Sequence, residues 1–233
     1  FKTAMKSKII ASNPVDQADR PKAVQFIGNY YNAEEIKELL ECAKSDELYL
    51  IILLAVYYGL RRSEVLGLKW SAIDFYQKTI SIRHKVVDEK NGPVGYDVMK
   101  TKSSYRTLPL LPFIEEALIA KRDECFEMQR VMGKSYTGEY KEYINVDTIG
   151  RLYRPNYVTD HFAVILKKHD LRKIRFHDLR HSCASLLLSV AAKVIAVFAK
   201  NEKLIRLDLK TKEKADSVIT EKVLLKAEKQ LFE

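Results

Sequence analysis

The chain has 233 residues, 47% hydrophobic and 30% charged, with only 8 Gly and 6 Pro. That composition fits a globular protein with one sizeable core and excludes collagen-like and low-complexity chains. Forty Lys and Arg against 31 Asp and Glu leave a net charge of +9, a surplus that suits a polyanionic partner such as nucleic acid or an anionic membrane face. Cys42, Cys125 and Cys183 are too scattered for a disulfide framework or a zinc site. The longest apolar run, Leu48 to Leu60, is too short to span a bilayer. The opening residues lack the apolar stretch of a signal peptide. A soluble, cytoplasmic protein is expected, with reduced thiols and no membrane partner.

In chain order, FKTAMKSKII reads as the last turns of a helix whose partners precede it, and NPVDQADRPK as a linker. Asn32 and Glu35 form a capping-box pattern ahead of a helix with Ile36, Leu39, Leu40 and Ala43 on one face. Asp46 opens a second helix, apolar on nearly all sides and therefore interior, which Gly59 ends. Ser63 and Glu64 start a short third helix through Leu68. The period then changes: SAIDFYQKTISIRHKVV predicts two strands joined at Gln77-Lys78, and Asn91-Gly92-Pro93 predicts a turn.

The segment YDVMKTKSSYRTLPL reads as extended chain. Pro112 suits the first turn of a helix to about Met132. Residues 133–157, with three Gly, one Pro and five Tyr, read as irregular. Thr159 starts a helix through Lys168, and His177 heads another. From Ala191 the text becomes Leu, Ile, Val and Ala among 10 Lys or Arg and 7 Asp or Glu, as in amphipathic helices.

Three segments carry candidate chemistry. In YYGLRRSEVLGL, Arg61 follows a helix-ending Gly-Leu, where the orphan N–H groups of the next helix favour an anion, and Glu64 can hold its guanidinium from behind. Alone, this is equally a surface Arg–Glu pair. In MKTKSSYRTLPL, Lys100 and Lys102 share a strand face and Arg106 follows. Such lysines could meet a phosphate, protonate a leaving group, or simply protect a sheet edge. In FHDLRHS, His177 and Arg180 share a helix face and could bind one phosphate; alternatively Asp178 pairs with Arg180 or His181 within a capped helix.

Taken together and in this order, the segments resemble the catalytic domain of tyrosine recombinases, most of all phage and conjugative-transposon integrases. GLRRSEVLGLKWSAIDF resembles the first arginine box, KTKSSYRTLPL the β-hairpin lysine, and IRFHDLRHSCASLLL the second box. RPNYVTDHFAVILKKHDL also reads like this family, and the likeness extends over about residues 4–190. It implies an α+β fold, mainly helical, with a small antiparallel sheet. It implies three parts: residues 1–23, the end of a core-binding domain and linker; 24–190, the catalytic domain; 191–233, an atypical helical segment.

The resemblance further implies site-specific cleavage and rejoining of duplex DNA through a 3′-phosphotyrosine, without metal, cofactor or ATP. Arg61, Lys100, His177 and Arg180 would be catalytic. The family's lysine precedes Thr, as Lys100 precedes Thr101, which favours Lys100 over Lys102. Arg62, Lys102 and Arg106 would contact DNA, and Glu64 and His181 would support. Self-association on DNA as a dimer or tetramer is expected, with the C-terminal segment touching a neighbour.

The family pattern continues with Leu-Gly-His or Leu-Gly-Trp and a nucleophilic tyrosine. Here no histidine follows His181 and no tyrosine follows Tyr157; Phe198 and Phe232 have no hydroxyl. A truncated or frame-altered gene, residues missing between 190 and 191, or a relative that has lost its chemistry would each produce that text. The nucleophile is unassigned, and the alternative is a catalytically incomplete DNA-binding protein on the same fold.

Overall fold

The computed structural model describes residues 1–17, 29–97 and 105–188. The expected boundaries at 23 and 190, Lys100, Lys102 and the segment 191–233 with its expected neighbour contact lie outside the described residues. A short exposed helix, α1 (Lys2–Lys6), stands where the last turns of a helix are expected, and none of its residues is buried.

The capping box forms: Glu35 N donates to Asn32 Oδ1 and Asn32 N to Glu35 Oε2, each at 2.8 Å. It starts α2 (Ala33–Ala43), which buries Ile36, Leu39, Leu40 and Ala43. Asp46 fixes the next entry by accepting the Leu48 amide at 2.9 Å. The following helix, α3 (Tyr49–Tyr58), buries every residue from Leu50 to Tyr58 and is the centre of the core. Each of its leucines and isoleucines withdrawn from water is worth about 1.5–3 kcal/mol, so the other elements pack around this helix. Gly59 ends it at φ 58°, a left-handed conformation open to glycine at little cost.

The next helix, α4 (Arg62–Leu66), begins one residue before Ser63, which puts Arg61 at the cap. Two sheets follow. Strands β1 (Ile73–Asp74), β2 (Thr79–Ile82) and β5 (Arg106–Pro109) form one antiparallel sheet in the order β1-β2-β5. Lys78, at φ 51°, makes the expected turn between β1 and β2. The second expected strand divides: β3 (Lys85–Glu89) leaves β2 at Arg83-His84 and pairs with β4 (Gly92–Tyr96) in a separate hairpin. The division lets β5 lie beside β2, with Ile82 opposite Arg106.

Helix α5 (Pro112–Met132) starts on its proline as expected. The irregular stretch after it docks on the exit from α4: Asn145 donates to Val65 O at 2.8 Å and Ile144 N to Leu68 O at 3.0 Å. Helix α6 (Pro155–Lys168) starts four residues before Thr159, because Pro155 takes the first helical position. The last described helix, α7, covers residues 178–188. Ser182 on it accepts the Tyr31 amide at 2.9 Å, tying the approach to α2 onto α7. This is the α+β, mainly helical architecture that the sequence implied. No helix among the described residues is long and apolar enough to cross a membrane.

One close approach holds α4 against the second hairpin. A Cβ on Gly67 would sit 2.4 Å from Lys85 Cα and 2.5 Å from Lys85 N, both backbone atoms that cannot swing aside. Gly67→Ala is therefore expected to destabilise the protein by about 3 kcal/mol. Gly138→Ala, whose added methyl meets nothing within 4 Å, is expected to stay within about 0.5 kcal/mol. Urea denaturation of the two variants checks the contrast.

Candidate functional site

Arg61 is the residue just before α4, with extended backbone at φ −69° and ψ 149°. Its amide donates to Glu64 Oε2 at 3.0 Å and its Nη1 to Glu64 Oε1 at 2.8 Å. Glu64 is 2% exposed, whereas half of the Arg61 side chain stays open to solvent. The pairing of β5 with β2 brings in a second cation. Arg106 Nη2 donates to Glu64 Oε2 at 2.8 Å, and its Nη1 lies 3.5 Å from Oε1. Burial alone would raise the Glu64 carboxyl, but the two guanidiniums and the Arg61 amide together hold it below the usual carboxylate range.

A further arginine comes from α7. Arg180 Nη1 donates to the carbonyl of Gly59, two residues before Arg61. Cys183 Sγ, 3.4 Å from Tyr57 O, seals the same junction. Unpaired carbonyls at a helix C-terminus favour a cation, so the end of α3 seats Arg180 beside the entry to α4. A Cβ on Gly59 would meet Cys183 Sγ at 3.3 Å and Arg180 Cγ at 3.7 Å, so glycine serves both the turn and the packing. Burial pushes the Cys183 thiol up to about 12, which makes it a packing group and not a nucleophile.

His177 sits one residue ahead of α7, exposed, with its ring 5.7 Å from that of His181 and edge-on to it. Partial burial, then His181 and Arg180, lower its pKa below the ordinary value of 6.5. That shift favours the neutral imidazole, which can take a proton or donate one ring N–H. Asp178 pairs with neither Arg180 nor His181. It accepts the Arg175 amide at 2.9 Å and Arg175 Nη2 at 2.8 Å, locking the start of α7 and leaving Arg180 to face Gly59.

The other residues singled out in the sequence fall differently. Arg62 is half-buried and donates to Thr159 Oγ1, tying α4 to α6. Burial lowers its pKa, and Asp88 and Asp160 partly offset this. The side chain from which a DNA contact was expected thus serves the packing of α4 on α6 in the structure. Arg106 likewise points inward to Glu64. Lys69, which no sequence motif singled out, has a side chain only 9% exposed and pairs with Asp97 at 2.9 Å and Glu142 at 3.2 Å. Asp97 and Arg106 flank the undescribed residues 98–104, and their partners, Lys69 and Glu64, lie in the segment that carries Arg61. Neither long-range pair leaves a local signal in the sequence; only the register of β5 on β2 would have found the second.

A family model described as "Phage integrase family" matches residues 29–198. A protein named Tyrosine recombinase XerC-like from Caldanaerobacter subterraneus subsp. tengcongensis is 31% identical over 171 residues, 67% of this chain and 42% of that protein. The ICEBs1 integrase of Bacillus subtilis is 26% identical over 84% of this chain and 53% of its own. The chain thus spans about half the length of the curated relatives it matches. Among solved structures, the Tn1549 transposon integrase in complex with a circular intermediate DNA superposes with a TM-score of 0.66, at 18% identity, over 82% of this chain and 63% of that one. A lambda integrase dimer bound to a core site superposes at 0.53, with 21% identity, over 79% of this chain and 47% of that one.

The buried carboxylate makes stability depend on pH with a definite sign. Glu64 has its folded pKa below the ordinary 4.5. It therefore stabilises the fold at higher pH, and that contribution disappears as pH falls through the folded pKa. Unfolding midpoints are expected to drop as pH falls below the ordinary 4.5 towards the folded pKa. Glu64→Gln should be less stable than the parent at pH 7 and should show a shallower drop in acid. Denaturant titrations at several pH values measure both.

Proposed function

The chain belongs to the phage integrase family, and on that premise we propose that it serves the site-specific cutting and rejoining of duplex DNA. The observation that carries the reading is that Arg180 Nη1 reaches the Gly59 carbonyl, two residues before Arg61, with Arg61 half open to solvent and His177 exposed one residue ahead of α7. Two guanidiniums at one junction suit the two non-bridging oxygens of a phosphodiester, to which Arg offers parallel N–H donors.

In the proposed reaction a tyrosine oxygen attacks the scissile phosphorus and the bond from phosphorus to the 5′-oxygen breaks. The tyrosine proton goes to a base, a role that the neutral imidazole of His177 can fill, and Lys100 returns a proton to the departing 5′-oxygen. Reversal by a strand end from a partner duplex reseals the backbone and frees the tyrosine. Charge grows on the non-bridging oxygens during each transfer, so the arginine clamp does most of the work. A single removed donor at such a site typically costs about 100–1,000-fold in rate.

The tyrosine remains unassigned. Tyr58 gives its hydroxyl to Pro109 O, Tyr31 to Arg172 O, and Tyr153 and Tyr157 to Glu47. The Glu47 hydrogen bond, with burial behind it, pushes Tyr157 up to about 12, the wrong direction for a nucleophile. Action on DNA in the cytoplasm and self-association on the duplex, as in the lambda integrase dimer, belong to the same proposal.

Two measurements test it. Fluorescence anisotropy with a labelled duplex is expected to show log affinity falling linearly with log salt, by about 0.9 per phosphate neutralised. Arg180→Ala should flatten the slope by about one such contact. Affinity indifferent to salt would remove the electrostatic basis. In the second test, a nicked suicide duplex is mixed with the 233-residue chain and run on a denaturing gel. No covalent band is expected, because no tyrosine follows Tyr157; a band would assign the attack to an upstream tyrosine.

A further inference from the structure

We propose that Arg106 is a positioning residue for the phosphate clamp, acting on Arg61 through the buried Glu64 carboxylate and making no DNA contact of its own. The proposal rests on the DNA-phosphate reading above and assigns a role within that site. In the sequence, Arg106 stands on a basic extended segment and looks like a backbone contact. The structure buries three quarters of its side chain and sets its fork on Glu64 Oε2 at 2.8 Å and Oε1 at 3.5 Å.

The argument is one of competition for a single acceptor. A carboxylate prefers to take both arms of a guanidinium. With Glu64 2% exposed, an unopposed Arg61 would turn its whole fork inward. Arg106 occupies Oε2 from one side, and the Arg61 amide occupies it from the other. Arg61 then meets Glu64 through Nη1 alone, on Oε1 at 2.8 Å. Its other side-chain donors make no hydrogen bond to Glu64, and half of the side chain is open to solvent. Two arginines on one carboxylate also leave a local charge of +1, so the site keeps its attraction for an anion.

The test is a set of variants read by anisotropy with a fluorescein-labelled duplex over a range of salt. Arg61→Ala is expected to weaken binding about tenfold and to flatten the salt slope by about one contact. Arg106→Ala should weaken binding about fivefold in the parent and less than about twofold when Arg61 is already Ala. Glu64→Gln on the Arg106→Ala background should restore binding to within about twofold of the parent, since a neutral amide does not draw in the Arg61 fork. If Arg106→Ala does not fold, the pair Glu64→Gln with Arg106→Gln carries the test, because it leaves no buried charge unpaired. That pair should bind within about twofold of the parent if Arg106 only positions, and about tenfold more weakly if it contacts DNA.

Losses that multiply between Arg61→Ala and Arg106→Ala would overturn the proposal alone, as would an Arg106→Ala that binds like the parent. A parent chain without salt-dependent binding would overturn the DNA reading and this proposal with it.

Discussion

A carboxylate closed off from water is what the site is built around. Glu64 is 2% exposed, and an uncompensated charge at such depth costs several kcal/mol. Its compensation comes from three directions: the Arg61 amide at the start of α4, the Arg61 guanidinium, and Arg106 from β5. Each fixes a different part of the molecule. The amide sets where α4 begins. The guanidinium sets the direction of the one arginine left half open. The third pins the register of β5 on β2, since Ile82 must face Arg106 for the fork to reach. Removing either cation leaves an anion without enough partners, so the arrangement is held as a unit.

The second constraint is the end of α3. A helix buried on all sides must still satisfy its last carbonyls. Here Arg180 and Cys183, both on α7, reach Gly59 O and Tyr57 O respectively. The same groups that close the helix therefore bring the two halves of the site together. Asp178 and Ser182 do parallel work from the buried side of α7, the one holding Arg175 and the other the Tyr31 amide. What looks like a phosphate site from solvent is a helix terminus and a salt bridge from the interior.

Local physics was legible in the sequence and long-range physics was not. The Asn32–Glu35 box, the apolar α3, the Gly59 stop and Pro112 at the head of α5 each depend on residues within one or two turns. The pair Arg61–Glu64 was likewise visible, three residues apart. The partners of Glu64 across 42 residues, of Gly59 across 121 and of Lys69 across 28 were not. They follow from strand register and helix docking, which period and composition do not encode. Pro155 was a readable start signal for α6 that the stronger apolar period after Thr159 obscured. The splitting of β2 from β3 had no comparable cue, because Arg83-His84 is compatible with a continuing strand.

The twin arginines 61 and 62 show how one backbone step decides between clamp and scaffold. In the sequence they are neighbours of one type, and either could be given the phosphate. In the structure Arg61 is the cap, with extended backbone, while Arg62 is the first residue of α4 and takes helical dihedrals. Successive residues on a helix differ by about 100° around its axis, and the cap lies outside that rotation altogether. Arg62 is therefore carried round to α6, where it meets Thr159 and is half-buried. Arg61 is left facing out, anchored by a single arm to Glu64. Had α4 begun at Ser63, as the sequence suggested, Arg62 would hold the cap and Glu64 would stand second in the helix. The carboxylate could not then reach back to the cap amide from the third position, the geometry on which the capping pair depends. The spacing from Arg61 to Glu64, and not the identity of either arginine, selects the one that faces out to solvent.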